Sequence, residues 1–305
     1  MATFPNGRLP PATAVPERLW TATDCRAPLT VLNLHPEYRN ARYTLRGVFR
    51  DEGQSLEHAA ALEEDGLDTY VYADDTPSGE RAFFVAARRK VDPDVRAGIP
   101  HQHSVDWEAV RMAVDLFRAI MRKAQGKAAF RWYKQLDVPL LHRKIQSFDW
   151  SGTHLDVASG IISDLILAHP FPNANHRSSI HFARNYLLVC GIKWPHYNLQ
   201  GRGHQRLHRD TKEFFVRSKY LLQLHRHPAM VYLAYELGYR KFRVGDDADT
   251  TIGAGDWELS SNEIQDRHQA AARKMLLDLA DDDGRQRLKQ PRSKTLRQWI
   301  DTAGA

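Results

Sequence analysis

Cysteine is scarce, with two residues among 305, Cys25 and Cys190. They lie far apart, so neither a disulfide framework nor a cysteine-based zinc site is expected. A reducing, cytoplasmic setting fits this usage. No stretch reaches the roughly 18 uninterrupted apolar residues of a membrane span, and no membrane association is expected. The first twenty residues, MATFPNGRLPPATAVPERLW, lack a basic segment followed by an apolar run, so no signal peptide is expected. Internal repeats and low-complexity tracts are also missing. Hydrophobic residues make up 42% and charged residues 26%, which excludes the disordered class and allows a sizeable core. Positive charge is in mild excess, with 43 Lys and Arg against 37 Asp and Glu and a net charge of +6. Such a balance suits nucleotides, nucleic acid or acidic proteins without choosing among them.

The pattern along the chain reads as three segments. Residues 1–100 combine a Pro/Thr/Ala-rich arm, over about the first thirty residues, with a mixed α/β region. There RYTLRGVFR (42–50) alternates as a strand does, and SLEHAAALEEDG reads as a short helix stopped by Gly66. DTYVYADD (68–75) and RAFFVAARR (81–89) flank TPSGE and read as a β-hairpin. Residues 91–104, with two prolines, form a loop and a boundary. Residues 101–240 are a helical core. Trp107, Val110, Val114, Phe117 and Met121 recur at helical spacing, and a second helical piece is expected from about 128 to 147. VASGIISDLILAH (157–169) is apolar enough for a central helix, and HRSSIHFARNYLLVC reads as the next helix, ending near Gly191. Further helices are expected at 210–225, 228–238 and 260–280. Residues 241–305 are read as a helical extension whose tail, 284–300, carries six Lys or Arg and no acid. That tail is either a solvated end or a contact for nucleic acid or an acidic partner. The fold class is therefore mainly α with a small β-hairpin and additional terminal elements.

The informative feature is the junction of two helices, His-Pro-Phe-Pro-Asn-Ala-Asn-His-Arg at residues 169–177. The first N–H groups of a helix have no internal partners, and its dipole places partial positive charge there, so phosphate is welcome. Arg177 adds a forked cation suited to phosphate oxygens. Asn175 can brace the loop or donate to a phosphate. Ala174 lets the backbone approach a ligand. Asn173 is a turn residue or a ligand contact, and Ser178 is a helix former or a phosphate contact. His169 can take a proton near neutral pH, as a base that activates a hydroxyl must, or else simply end its helix.

These residues resemble the signature of the Fic/Doc family, H-x-F-x-[D/E]-[G/A]-N-[G/K]-R, at His169, Phe171, Ala174, Asn175 and Arg177. The resemblance covers about residues 105–240. It implies a Fic-like helical bundle and a transferase that moves AMP or a phosphoryl group from ATP to a Ser, Thr or Tyr hydroxyl of a target protein. Such chains are often toxins or effectors. His169 would be the base, and Asn173, Ala174, Asn175, His176, Arg177 and Ser178 would line the nucleotide site. Phe171 would anchor the loop, and the hairpin at 68–89 would act as the flap that aligns the target. Mg²⁺ would accompany the nucleotide, but Asn173 stands where the family has its acidic ligand, and an amide binds Mg²⁺ less well than a carboxylate. His176 replaces Gly or Lys, and a cationic imidazole there would fit the phosphoryl-transferring branch. The second arginine of the adenylylating pattern falls on Ile180, with Arg184 one turn on. The family's inhibitory helix motif is missing, so a separate inhibitor chain is one implied partner.

Two other readings stand beside this one. A catalytically degenerate module could bind nucleic acid or a protein through residues 284–300 and the Arg/His-rich stretch 201–227. Fifteen histidines invite a metal reading, but His204 and His208 in HQRLH have Gln205 where a zinc protease needs Glu. His225 and His227 flank Arg226 in a positive field, which disfavours a cation.

Overall fold

The computed structural model describes residues 30–38, 41–89, 104–124, 134–194, 209–245, 248–291 and 298–300. The expectations for residues 1–29 and 91–103, and for His204 and His208, lie outside them. In chain order the helices are α1 (Glu52–Glu64), α2 (Val105–Ala124), α3 (Val138–Gln146), α4 (His154–Ala168), α5 (Asn175–Val189), α6 (Lys212–Arg226), α7 (Pro228–Glu236), α8 (Ser261–Leu279) and α9 (Asp282–Leu288). The strands are β1 (Val31–Asn33), β2 (Glu37–Tyr38), β3 (Ala41–Arg42), β4 (Thr44–Phe49), β5 (Leu67–Asp75), β6 (Arg81–Arg89), β7 (Lys241–Gly245) and β8 (Ala248–Thr251). The fold is mainly helical with small sheets. Among the described residues no helix is long and apolar enough to cross a membrane.

Two compact units interleave along the chain. One comprises Met1–Lys90 with Gln223–Leu259, the other Val91–Leu222 with Ser260–Ala305. The three consecutive segments read from the sequence follow composition, whereas packing returns the chain to each unit twice.

In the first unit, Asp51 caps α1 by accepting from the Gln54 N–H at 2.8 Å, and Gly66 ends it at a φ of +78°. The expected hairpin forms. β5 and β6 pair antiparallel from Leu67↔Arg89 to Asp75↔Arg81, and the turn closes with Thr76 N–H donating to Glu80 O at 2.8 Å. β4 joins the other edge of β6, giving the order β4-β6-β5. Its register shifts between Leu45 and Gly47, so Arg46 is the extra residue of a bulge. Ala59 of α1 packs on Val71 and Val85 of the sheet. The segment 241–251, expected to open a helical extension, instead forms β7 and β8, with β1 parallel to β7. Runs of five and four residues are too short to carry a periodic signal.

The second unit holds the larger core. Thr153 and Asp156 form a capping box that starts α4 three residues before the apolar run begins. α4 is buried on nearly every face, as its apolar sequence demands. α5 lies against α4, α8 packs on α4, and α2 packs on α5 and α3. In α2, Val110, Val114, Phe117 and Met121 are all buried. α3 begins at Val138, later than expected, because Asp137 caps it and Pro139 fits its first turn. The basic tail is not simply a solvated end. Leu288, Trp299 and Ile300 are buried, and Trp299 meets Phe182 edge-on at 5.1 Å. Arg285 and Arg287 pair with Asp282 and Asp283 of the same short helix.

Candidate functional site

The loop between α4 and α5 belongs to the second unit. Its two ends are bent by the same device. His169 (φ 55°) closes α4 and Ala174 (φ 53°) opens α5, and they are the described non-glycine residues with positive φ. Each left-handed residue without glycine costs about 1 kcal/mol, so the surroundings must hold it. They do so in several ways. His169 N–H donates to Leu165 O at 2.9 Å, Lys134 Nζ donates to His169 O, and Asp137 N–H donates to Pro170 O at 3.0 Å. Phe171 is fully buried and stacks on Phe117 at 5.4 Å.

Asn175 makes the central clip. Its Oδ1 accepts from Phe171 N–H at 2.9 Å and its Nδ2 donates to Phe171 O at 2.8 Å. Of the two roles open to it, bracing is the one observed, and the side chain is 2% exposed. Asn173 is buried, and its Oδ1 accepts from Ala174 N–H. Ser179 Oγ donates back to Asn175 O at 2.7 Å. Ser178 is 1% exposed, and its Oγ has no hydrogen-bond partner among the described residues.

His176 also turns inward. Its Nε2 lies 2.9 Å from Ser218 Oγ, which lies 2.6 Å from His268 Nε2, and His268 Nδ1 lies 3.0 Å from Ser163 Oγ. Donation in one direction satisfies every link: Ser163 to His268, His268 to Ser218, Ser218 to His176. The His176 ring stacks on Phe215 at 5.0 Å. Burial first, and then the charges of Lys219, His268 and Arg177, hold its pKa well below the ordinary imidazole value. The expectation of a cationic His176 facing a nucleotide is therefore corrected: the imidazole is buried in the core, against Ser218 and Phe215.

What remains toward the start of α5 is a cationic setting. Arg177 is half-buried in the first turn, which has no acidic residue, and Lys219 acts on His176 from α6. The loop itself carries no carboxylate. Ile180 is core, and Arg184 is half-buried with its pKa lowered by burial. The hairpin expected to serve as a flap belongs to the other compact unit.

Sequence reasoning found the loop but missed Lys134, Ser163, Ser218 and His268. Ser218 and His268 are 42 and 50 residues from the groups they contact, and Ser163 is 105 from His268. No local pattern marks such links. Two cavities of this unit lie elsewhere. One of about 450 Å³ is lined by Asp156, Asp164, Gln265 and Arg273 of α4 and α8. The other, about 350 Å³, lies between α6 and α8, with Phe214 and Met275 in its wall. Among the described residues no group of His, Cys, Asp and Glu is arranged to hold a metal ion.

The resemblance to Fic/Doc does not survive comparison. Residues 37–303 match DUF8172, a family of unknown function, and no Fic/Doc match accompanies it. A nine-residue motif is a small part of that span. Its departing positions, Asn173, His176 and Ile180, are all buried in this fold's own packing. No curated protein and no solved structure was found to match. The chain belongs to the DUF8172 family.

Proposed function

We propose that the loop 169–177 binds the phosphate of a nucleotide such as ATP and that the protein transfers a phosphate-containing group to a hydroxyl of another protein. The observation that carries this reading is the pair of left-handed residues, His169 and Ala174. They set an imidazole and a helix start free of acidic residues at the two ends of one braced six-residue turn. The α5 amides, Arg177 and the unpartnered Ser178 hydroxyl are donors suited to phosphate oxygens. They do not suit a magnesium ion, because the loop has no carboxylate and Asn173 Oδ1 is engaged by Ala174 N–H. No step is therefore routed through a metal.

In the proposed step the acceptor hydroxyl oxygen attacks phosphorus. The new O–P bond forms as the bond to the departing oxygen breaks, which leaves as ADP when a phosphoryl group is transferred or as pyrophosphate when AMP is. His169 takes the hydroxyl proton. The α5 amides and Arg177 meet the negative charge that builds up. Asn175 and Phe171 hold the loop shape on which this depends.

The test is incubation of the whole protein with α-labelled or γ-labelled ATP and a cell lysate. Transfer of one label to a protein, lost in His169→Ala and reduced at least tenfold in Arg177→Ala, is the expected result. Failure of both labels to mark any protein contradicts the reading.

A further inference from the structure

The larger cavity of the second unit, about 450 Å³, is a polar slot walled by α4, α8 and the connection from α3 to α4. The two helices face each other in antiparallel rungs, because each presents residues four apart to the other. Asp156 meets Arg273 in an ion pair of 2.5 Å. Gly160 stands opposite Gln269, and a Cβ there would meet the Gln269 amide nitrogen at an ordinary 3.7 Å. Asp164 Oδ1 accepts from Gln265 Nε2 at 2.6 Å. Phe148 and Ile161 add apolar wall.

Chemistry fixes which way the two amides turn. Gln265 Nε2 faces a carboxylate, and Gln269 Nε2 faces the Asp156 carbonyl oxygen at 3.3 Å. Both of those groups accept, so each amide must present its nitrogen to α4. The Oε1 atoms of Gln265 and Gln269 then remain as acceptors. Among the described residues neither of them, nor Asp164 Oδ2, receives a donor. Asp164 makes no ion pair within the described residues. Burial, the largest cause, raises its pKa, and the opposing effects of Lys144 and the Gln265 amide do not cancel it. The cation among the lining residues, Arg273, is already paired with Asp156.

Gly160 explains why there is room. Glycine inside a helix costs about 1 kcal/mol relative to alanine, and packing does not demand it here, since a Cβ would fit. Its missing side chain leaves the slot open beside the acceptors. Among the described residues no group of carboxylates is arranged to hold a metal ion, so the ligand that suits these acceptors brings N–H donors.

We propose that the slot binds a small aliphatic primary amine, whose ammonium donates to Asp164 and the Gln265 and Gln269 amide oxygens while its alkyl chain lies along Gly160 and Ile161. An ammonium has three donors and no acceptor, which matches the three oxygens left without donors. Asp149 lines the same slot, so a diamine is the fullest match. The site does not depend on the chemistry of the loop 169–177.

The test is calorimetric titration of the whole protein with 1,4-diaminobutane, with 1,4-butanediol as the uncharged control. Saturable binding of the diamine and none of the diol is expected. Asp164→Asn keeps the shape of the side chain and should weaken binding about tenfold or more. Gly160→Leu fills the slot and should abolish binding. Arg177→Ala, in the loop, should bind as the wild type does. The first two variants act by different means, charge and volume, so either one that unfolds cooperatively on heating decides the matter. An equal response to the diol, or no saturable binding of the diamine by the wild type, overturns the proposal. So does unchanged binding in a folded Asp164→Asn or Gly160→Leu protein.

Discussion

The two histidine clusters of this protein are built on opposite plans. His176, Ser218, His268 and Ser163 join four helices through hydrogen bonds in which each group meets a complementary one. Around His227 the balance is different: burial first, and then Arg46, Arg226 and His58, lower its pKa to about 4. A buried polar chain that satisfies itself holds a core in one arrangement and asks for nothing more. Like charges brought near one another disfavour each other's charged forms.

Removing buried parts of the second unit should have the largest effects. Trp299→Ala is expected to lower stability by about 3–5 kcal/mol, measured by urea unfolding, because the ring is fully buried among Trp150, Phe182 and Tyr186. A change within about 0.5 kcal/mol would return the tail to solvent. Deleting the basic tail is therefore a poor probe of nucleic-acid binding. Substituting its exposed Lys and Arg is the cleaner one.

His268→Leu should cost about 3 kcal/mol, since it strands the Ser163 and Ser218 hydroxyls in the core. A neutral result would make the chain dispensable and dissolve the comparison. Asn175→Ala should cost about 2 kcal/mol and speed amide exchange at Phe171, whose N–H it leaves without its acceptor.

The loop itself was legible in the sequence and its inner wiring was not. An apolar run, a Pro/Asn-rich turn and a second helical pattern placed residues 169–177 between two helices, and the structure keeps them there. Motif matching then gave Asn175 and His176 outward roles, because a pattern of residue types does not record which way a side chain turns. His176 turns in because Ser218, 42 residues later, returns on α6 to meet it. Arg46 escaped notice for a related reason. RYTLRGVFR reads as a regular strand, and the bulge at Gly47 appears only in the pairing with β6. The buried end of the tail was hidden by the charges around Trp299.

Acid should sharpen the contrast by a smaller amount. His227 has a folded pKa of about 4, below the ordinary imidazole value near 6.5. The unfolded chain thus binds this proton more readily than the folded one. Its contribution is complete above about pH 6.5 and is lost as pH falls through that value toward about 4. The loss should be about 1–2 kcal/mol once solvent screening is allowed for. Urea midpoints at pH 7, 5.5 and 4.5 measure it, and Arg226→Met should reduce it. A loss undiminished in Arg226→Met would detach His227 from the cluster. The smallest effect expected is a gain: Ala174→Gly should stabilise by about 0.5–1 kcal/mol, because glycine accepts the left-handed φ of 53° without the Cβ cost.

A crystal of the whole protein soaked with a non-hydrolysable ATP analogue tests the central reading most directly. The account predicts a phosphate of the analogue against the α5 amides and Arg177, within reach of His169. An analogue that binds elsewhere and leaves the loop 169–177 bare would contradict it.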